Sequence, residues 1–306
     1  MDFLSASEVA KLWGVSERSV RNYCAQGRVP GAFLTGKTWN IPANAAKPAR
    51  SNAKTLAVSP LLERLRDEKS SKTKGGIYHK VQVELTYNSN HIEGSRLTLD
   101  QTRLIFETST VGFEAEPVRV DDIIETQNHF RAIDSIIDNT QAPLTEAMIK
   151  DLHRILKTGT SDVSKDWLVV GDYKRLPNEV GGRQTTLPED VGKEVRVLLN
   201  AYGPCAKHSF DDILGFHVAF ERIHPFQDGN GRVGRLIMFK ECLANGIVPF
   251  VISDDMKAFY YRGLAEWDNE RGFLTDTCLA AQDRFKAALD YFRITYDDRN
   301  ECRQPL

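Results

Sequence analysis

No run in these 306 residues approaches the ~18 consecutive apolar residues of a membrane-crossing helix, and the opening Met-Asp-Phe-Leu-Ser lacks the form of a secretory leader. Both absences point to a cytoplasmic protein without a membrane partner. Cysteine is scarce: Cys24, Cys205, Cys242, Cys278 and Cys302 are scattered, odd in number and never in CxxC spacing. A disulfide framework or zinc knuckle is therefore not expected, and these thiols read as reduced core or surface residues. Internal repeats and long low-complexity tracts are missing too, so the chain is neither a solenoid nor a disordered polymer. With 41% hydrophobic and 27% charged residues it has the composition of an ordinary globular protein, long enough for one substantial domain and a small one.

Net charge is only −2, but it is unevenly spread, since residues 1–75 hold 13 Lys and Arg against 6 Asp and Glu. A basic front joined to an acidic body suggests two jobs. In the front, Ser5 and Glu8 form a capping box ahead of Val9, Leu12 and Val15, and the helix breaks at Gly14. Ser16 caps a second helix carrying Val20 and Tyr23 and ending near Gly27, with Arg18, Arg21 and Asn22 on its polar side. Val29 to Phe33 and Lys37 to Pro42, split by Thr35-Gly36, read as a small β-wing. Over residues 1–47 this resembles the excisionase or MerR-type winged helix-turn-helix. The resemblance implies DNA as a partner, with Arg18, Arg21 and Asn22 meeting phosphates or base edges. Residues 48–76 read as linker plus a short charged helix from Leu61 to Lys69, and 297–306 as a fraying tail.

The densest chemistry lies between His224 and Arg235: His-Pro-Phe-Gln-Asp-Gly-Asn-Gly-Arg-Val-Gly-Arg. Before it, Ser209 to Ile223 has a Ser209/Asp212 capping box and apolar residues at helical spacing, and Pro225 stops that helix. After it, Val233 to Ala244 reads as another helix ending at Asn245-Gly246. Gly229-Asn230-Gly231 thus sits where a helix begins, and the first N–H groups of a helix have no internal partner and carry partial positive charge. Such a terminus binds phosphate. Arg232 and Arg235, three apart, can hold further phosphate oxygens on one face. Asp228 fits beside an anion if a hard cation such as Mg²⁺ bridges them, and His224 can take a proton near neutral pH. Together they suggest attack of a hydroxyl on a nucleotide phosphate.

The stretch matches, at every specified position, the signature His-Pro-Phe-x-Asp/Glu-Gly-Asn-Gly-Arg-x-x-Arg of the Fic (filamentation-induced-by-cAMP) family. This resemblance implies a mainly α fold, a Fic helical fold with a β-hairpin flap preceded by the small winged domain, with residues 77–296 as the catalytic domain. The activity it implies is transfer of AMP from ATP to a Ser, Thr or Tyr hydroxyl of a protein, itself included. On the family pattern His224 is the general base, Phe226 anchors the loop and Asp228 holds Mg²⁺. By the same resemblance Gly229, Asn230 and Gly231 bind the α- and β-phosphates, Arg232 the β-phosphate and Arg235 the γ-phosphate. Ser89, Glu93 and Gly94, following a helix from Ile77 to Tyr87, match the Ser/Thr-x-x-x-Glu-Gly/Asn element of the self-inhibited class, in which the glutamate occupies Arg235. The segment Gly171 to Pro188 reads as a hairpin and resembles the flap, with Lys174, Val180, Gly181 and Gly182 meeting the target; Lys174 stands where relatives more often carry Arg.

Thr98 to Thr108 and Asp121 to Asp138 read as core helices, and Thr145 caps a further one through Leu156. Glu125 and His129 are four apart, but without a third ligand in view His129 reads as an interior histidine, and His153 likewise. Glu189 to Tyr202, Asp254 to Asn269 and Thr275 to Tyr296 read as amphipathic helices; Tyr260, Tyr261 and Trp267 fit either core or an adenine pocket. The same site could run in reverse, removing AMP, or use another nucleotide donor. A reading from another class is a DNA-binding regulator whose body senses a nucleotide. The sequence leaves open a homodimer, the modified protein and any DNA operator.

Overall fold

The computed structural model describes residues 3–25, 29–36, 38–47, 59–112, 117–203 and 207–296. Lys37, most of the expected linker, Cys205, Cys302 and the 297–306 tail lie outside the described residues, as does the expected helix end near Gly27. The chain divides into two compact units, Met1–Ala57 and Val58–Leu306.

In the first unit, strand β1 (Phe3–Leu4) leads into α1 (Ala6–Trp13), α2 (Glu17–Ala25) and the hairpin β2 (Phe33–Thr35) and β3 (Thr38–Pro42). Ser5 and Glu8 form the expected reciprocal cap, and Gly14 ends α1 in the left-handed conformation at φ 60°. The strands form a three-stranded antiparallel sheet of order β1-β3-β2, with Leu4 opposite Ile41 and Leu34 opposite Trp39. The third strand, β1, is too short to show a period of two in the sequence. Val9, Val20, Cys24, Val29 and Ile41 make its core.

The second unit begins with α3 (Pro60–Ser71) and α4 (Ile77–Ile92), followed by α5 (Leu99–Thr108), α6 (Val120–Asp138) and α7 (Glu146–Lys157). A two-residue hairpin, β4 (Glu179–Val180) and β5 (Arg183–Gln184), precedes α8 (Pro188–Tyr202), α9 (Phe210–Ile223), α10 (Asn230–Asn245), α11 (Lys257–Glu266) and α12 (Gly272–Tyr291). The break between α3 and α4 is used: buried Glu68 on α3 accepts a hydrogen bond from the Tyr78 main chain at 2.9 Å, capping a helix whose own Gly76 offers no side chain. A carboxylate there also complements the helix dipole.

Helix α10 is the axis of the body. Val233, Leu236, Ile237 and Phe239 pack with Phe220, Ile133, Leu152 and Leu65, and Arg232, Arg235, Lys240 and Glu241 are buried with them. A helix covered on every side must satisfy each charge from its neighbours, so α4, α6 and α7 are obliged to carry partners. Burial of each large apolar side chain stabilises by about 1.5 to 3 kcal/mol.

Three boundaries differ from the sequence reading. Helix α4 continues through Ser89 to Ile92, which carries the expected inhibitory serine in a helix and Glu93 at its cap. The last helix stops at Tyr291, and the stretch from Asp254 opens with a 3-10 turn through Met256 before α11. Cys24, Cys242 and Cys278 are free and buried, as expected of structural thiols. Among the described residues no helix is long and apolar enough to cross a membrane.

Candidate active site

The site grows from the junction of α9 and α10. Helix α9 ends at His224, whose backbone is left-handed at φ 50° and ψ 62°, an uncommon conformation for a non-glycine residue. Pro225 cannot continue the helix, and the chain turns down so that Phe226 is wholly buried. Its ring stacks on His153, with centroids 4.0 Å apart and planes 5° from parallel. Asn230 then closes the loop on itself: its Oδ1 accepts from the Phe226 main-chain N–H at 2.8 Å and its Nδ2 donates to the Phe226 carbonyl at 2.8 Å. The side chain of Asn230 is therefore engaged, leaving its main chain for any ligand. Gly229, left-handed at φ 81°, caps α10 without a side chain.

Arg235 is 4% exposed and fully engaged. Its Nε donates to Ser89 Oγ at 3.0 Å, and its Nη2 to the Ser89 carbonyl at 3.0 Å and to Glu93 Oε1 at 2.7 Å. The Glu93 carboxylate lies over the start of α10: a Cβ at Gly231 would collide with Oε1. Burial works against the charge on Glu93, but the guanidiniums of Arg235 and Arg232 outweigh it and hold the carboxyl below its usual range. Gly94 follows at φ 95°, a left-handed turn that lets the chain leave the helix.

Arg232, although three residues from Arg235, faces other partners. It bonds Glu125 on α6 at short range and Asp228 Oδ2 at 3.2 Å. Lys157, 2% exposed at the end of α7, meets Glu125 at 2.6 Å, Asp228 Oδ2 at 2.6 Å and Asp162 more closely. Partial desolvation opposes the charge on Asp228, but Arg232 and Lys157 hold it well below the carboxylate range. Glu125, Asp162 and Asp228 each offer an oxygen within 4.8 Å of the others, a hard donor set suited to a divalent ion, with the Lys157 ammonium already among them. Sequence reasoning did not find Lys157 or Asp162, and it paired Glu125 with His129 instead. His129 bonds Thr86 through Nδ1 at 3.0 Å and is buried, the interior histidine expected.

Burial, followed by the nearby Lys174 ammonium, pushes the His224 imidazole down to about 4, so it is neutral at physiological pH. Its Nδ1 is buried, and the Glu221 main chain faces the ring. Lys174, expected on the face of the flap, is turned inward and only 3% exposed, because its ammonium serves the hairpin's own polar groups. Val180, Gly181 and Gly182 are exposed at the hairpin turn, and Gly181 and Gly182 have the positive φ that a tight two-residue turn requires. The segment is tied to the loop by Lys174 N–H to the Pro225 carbonyl at 2.9 Å and Leu176 N–H to Gln227 Oε1 at 3.2 Å.

Tyr260 and Trp267 are buried, and Tyr260 OH bonds His217 Nε2 at 2.6 Å, so both belong to the core; Tyr261 is 42% exposed. Glu221, missed in the sequence, has Oε1 buried beside α10 without a hydrogen-bond partner, 3.9 Å from His217 Nε2, and burial pushes its carboxyl up to about 8. Arg18, Arg21 and Asn22 are exposed on α2 of the first unit, where Arg21 also pairs with Glu17.

Residues 143–242 match the model of the Fic/DOC family. Protein adenylyltransferase Fic of Nematostella vectensis is 26% identical over 181 residues, 58% of this chain and 41% of that protein. The Drosophila ananassae protein of the same description is 29% identical over 185 residues, 58% of this chain and 35% of that one. The chain thus spans about two fifths or less of the length of these curated relatives. A Fic domain containing signaling protein from Bacteroides thetaiotaomicron superposes with a TM-score of 0.56 at 27% identity, covering 75% of this chain and 90% of that structure. Fic-1 from C. elegans has a TM-score of 0.58 at 20% identity over 75% of this chain and 69% of that one. Residues 143–242 of this chain thus resemble the Fic/DOC family, and the helical body that carries them has the Fic fold.

Proposed function

We propose that the chain is a protein adenylyltransferase that moves AMP from ATP to a Ser, Thr or Tyr hydroxyl of a protein and is held back by Glu93. The observation that carries this reading is the Glu93 carboxylate lying over Gly231 in a salt bridge with Arg235, 2.7 Å away, which is an anion of the protein's own seated at a helix N-terminus. ATP offers the same charge and more of it.

Neutral His224 is the general base. With Nδ1 walled in, Nε2 is the nitrogen left to take the proton as the hydroxyl oxygen attacks the α-phosphorus. A P–O bond forms to the target, the bond to the β-phosphate oxygen breaks, and pyrophosphate leaves. The main-chain N–H groups at Gly229, Asn230 and Gly231 receive phosphate oxygens where the α10 dipole begins. Arg235, released from Glu93, holds the γ-phosphate, and Arg232 the β-phosphate. Asp228, a half-exposed carboxylate kept ionised by two cations, would hold Mg²⁺, which when bound neutralises phosphate charge. Phe226 and Asn230 keep the loop in shape. The exposed hairpin around Val180, Gly181 and Gly182 takes the target segment as an added strand.

With Glu93 beside the cradle, the same residues support removal of AMP, the carboxylate orienting a water. The first unit reads as a winged helix-turn-helix that offers Arg18, Arg21 and Asn22 to DNA, the pair α1–α2 and a flanking sheet being the support for it. Labelled-ATP incorporation separates an enzyme from a nucleotide sensor. Glu93→Gly is expected to raise AMP incorporation tenfold or more, and adding His224→Ala to abolish it; incorporation that is unchanged by either substitution overturns the reading.

A further inference from the structure

A lysine as buried as Lys174 normally faces a carboxylate. Among the described residues its ammonium has no acidic partner; it donates to Asn178 Oδ1 at 2.7 Å, Thr185 Oγ1 at 2.6 Å and the Ile223 carbonyl at 3.4 Å. Its main-chain N–H donates to the Pro225 carbonyl at 2.9 Å. Ile223 and Pro225 are the residues on either side of His224. One residue thus grips both flanks of the histidine, whose left-handed backbone is disfavoured for a non-glycine residue and persists only where surroundings impose it.

The other contacts run outward. Asn178 and Thr185 are the two feet of the β4–β5 hairpin: Thr185 N–H donates to the Asn178 carbonyl, and Asn178 Nδ2 reaches the Phe226 carbonyl at 3.4 Å. A hydrocarbon residue could fill this space, but it could neither bond the two feet nor leave a charge beside the ring. The groups facing His224 are Lys174 from the hairpin segment, Glu93 from the end of α4, Asp228 from the loop and the Glu221 main chain of α9. Lys174 is the cation among them, and although burial pushes it down to about 8 it remains largely charged at neutral pH.

We propose that Lys174 is a positioning residue for the base: it fixes the backbone of His224, keeps a positive charge beside the imidazole, and couples the feet of the hairpin to the active site. The proposal rests on His224 being the base of the transfer proposed above. A hairpin that shifts when a target strand docks moves Asn178 and Thr185, and through one side chain moves the histidine.

The test is an NMR titration of the labelled His224 imidazole in the full chain, assigned by comparison with His224→Gln. In Lys174→Met the midpoint is expected to rise by roughly half a unit to one unit, because a repelling charge is gone. Lys174→Arg is expected to restore it. Lys174→Gln, which keeps a donor and loses the charge, gives the same rise should the methionine variant fail to fold. In the Glu93→Gly background the acid limb of kcat/KM shifts in the same direction, with KM for ATP unchanged. A midpoint that does not move in either neutral variant overturns the proposal. A midpoint that moves in a protein incapable of AMP transfer instead retains the Lys174 contact and removes the transfer reading.

Discussion

Arg232 and Arg235 stand one turn apart on the same buried helix, yet their surroundings differ. Among the described residues Arg235 has a single carboxylate in salt-bridge contact, Glu93, at the C-terminal cap of α4 and 28% exposed, with Ser89 supplying further acceptors. Arg232 shares Glu125 and Asp228 with Lys157, which reaches on to Asp162, a network drawn from α6, α7, the turn after it and the signature loop. A lone pair at a helix end can be exchanged for a ligand's charge, whereas a network of three anions with Arg232, Lys157 and, at Asp162, Lys165 cannot lose a member without stranding the others. The first arrangement suits a reversible occupant and the second a fixed post.

The contrast breaks most visibly at Lys157. Lys157→Met leaves three clustered carboxylates with Arg232 and the more exposed Lys165, and urea unfolding is expected to show a loss of about 3 to 5 kcal/mol. Saturating ATP should recover little of it, since nucleotide cannot replace an ammonium. At the other pair, Glu93→Gln is expected to cost about 1 kcal/mol, discounted for the partial exposure of the carboxylate. Here ATP should raise the melting temperature of the variant several degrees more than that of the unaltered protein, because phosphate takes the vacated bonds. A similar ATP response in both variants would erase the distinction between them.

The smallest effect is in acid. Glu93 has a folded-state pKa below its unfolded value of ~4.3, so its stabilisation is present above that pH and lost as pH falls through the folded value. The stability gap between the unaltered protein and Glu93→Gln should therefore narrow as pH is lowered from 7 to 3, by less than about 1 kcal/mol. A gap that widens would mean that Glu93 is not held charged by Arg235.

Whether a site residue was legible in the sequence depended on where its partners lie. Gly229 to Arg235 could be read directly because the cradle is one continuous stretch whose helix-start chemistry is local. Ser89 and Glu93 were visible only through the family pattern, since nothing in a helix end says which distant arginine it meets. Lys157, Asp162 and the true company of Glu125 were not legible, because each comes from a separate element and only tertiary packing brings them together. Lys174 misled for a related reason: the resemblance set it among the target-meeting residues of the flap, whereas its burial depends on hydroxyl, amide and carbonyl acceptors that carry no sequence period. Strand β1 was hidden by its length of two residues.

The paired hydrogen bonds from Asn230 to the main chain of Phe226, over a ring stacked on His153, mean that the mould exists before any cargo arrives. Small phosphates and bulky nucleotides would meet the same contour, so discrimination among them falls to whatever touches the base and sugar, and a synthetic anion shaped to that contour need displace the Glu93 carboxylate alone.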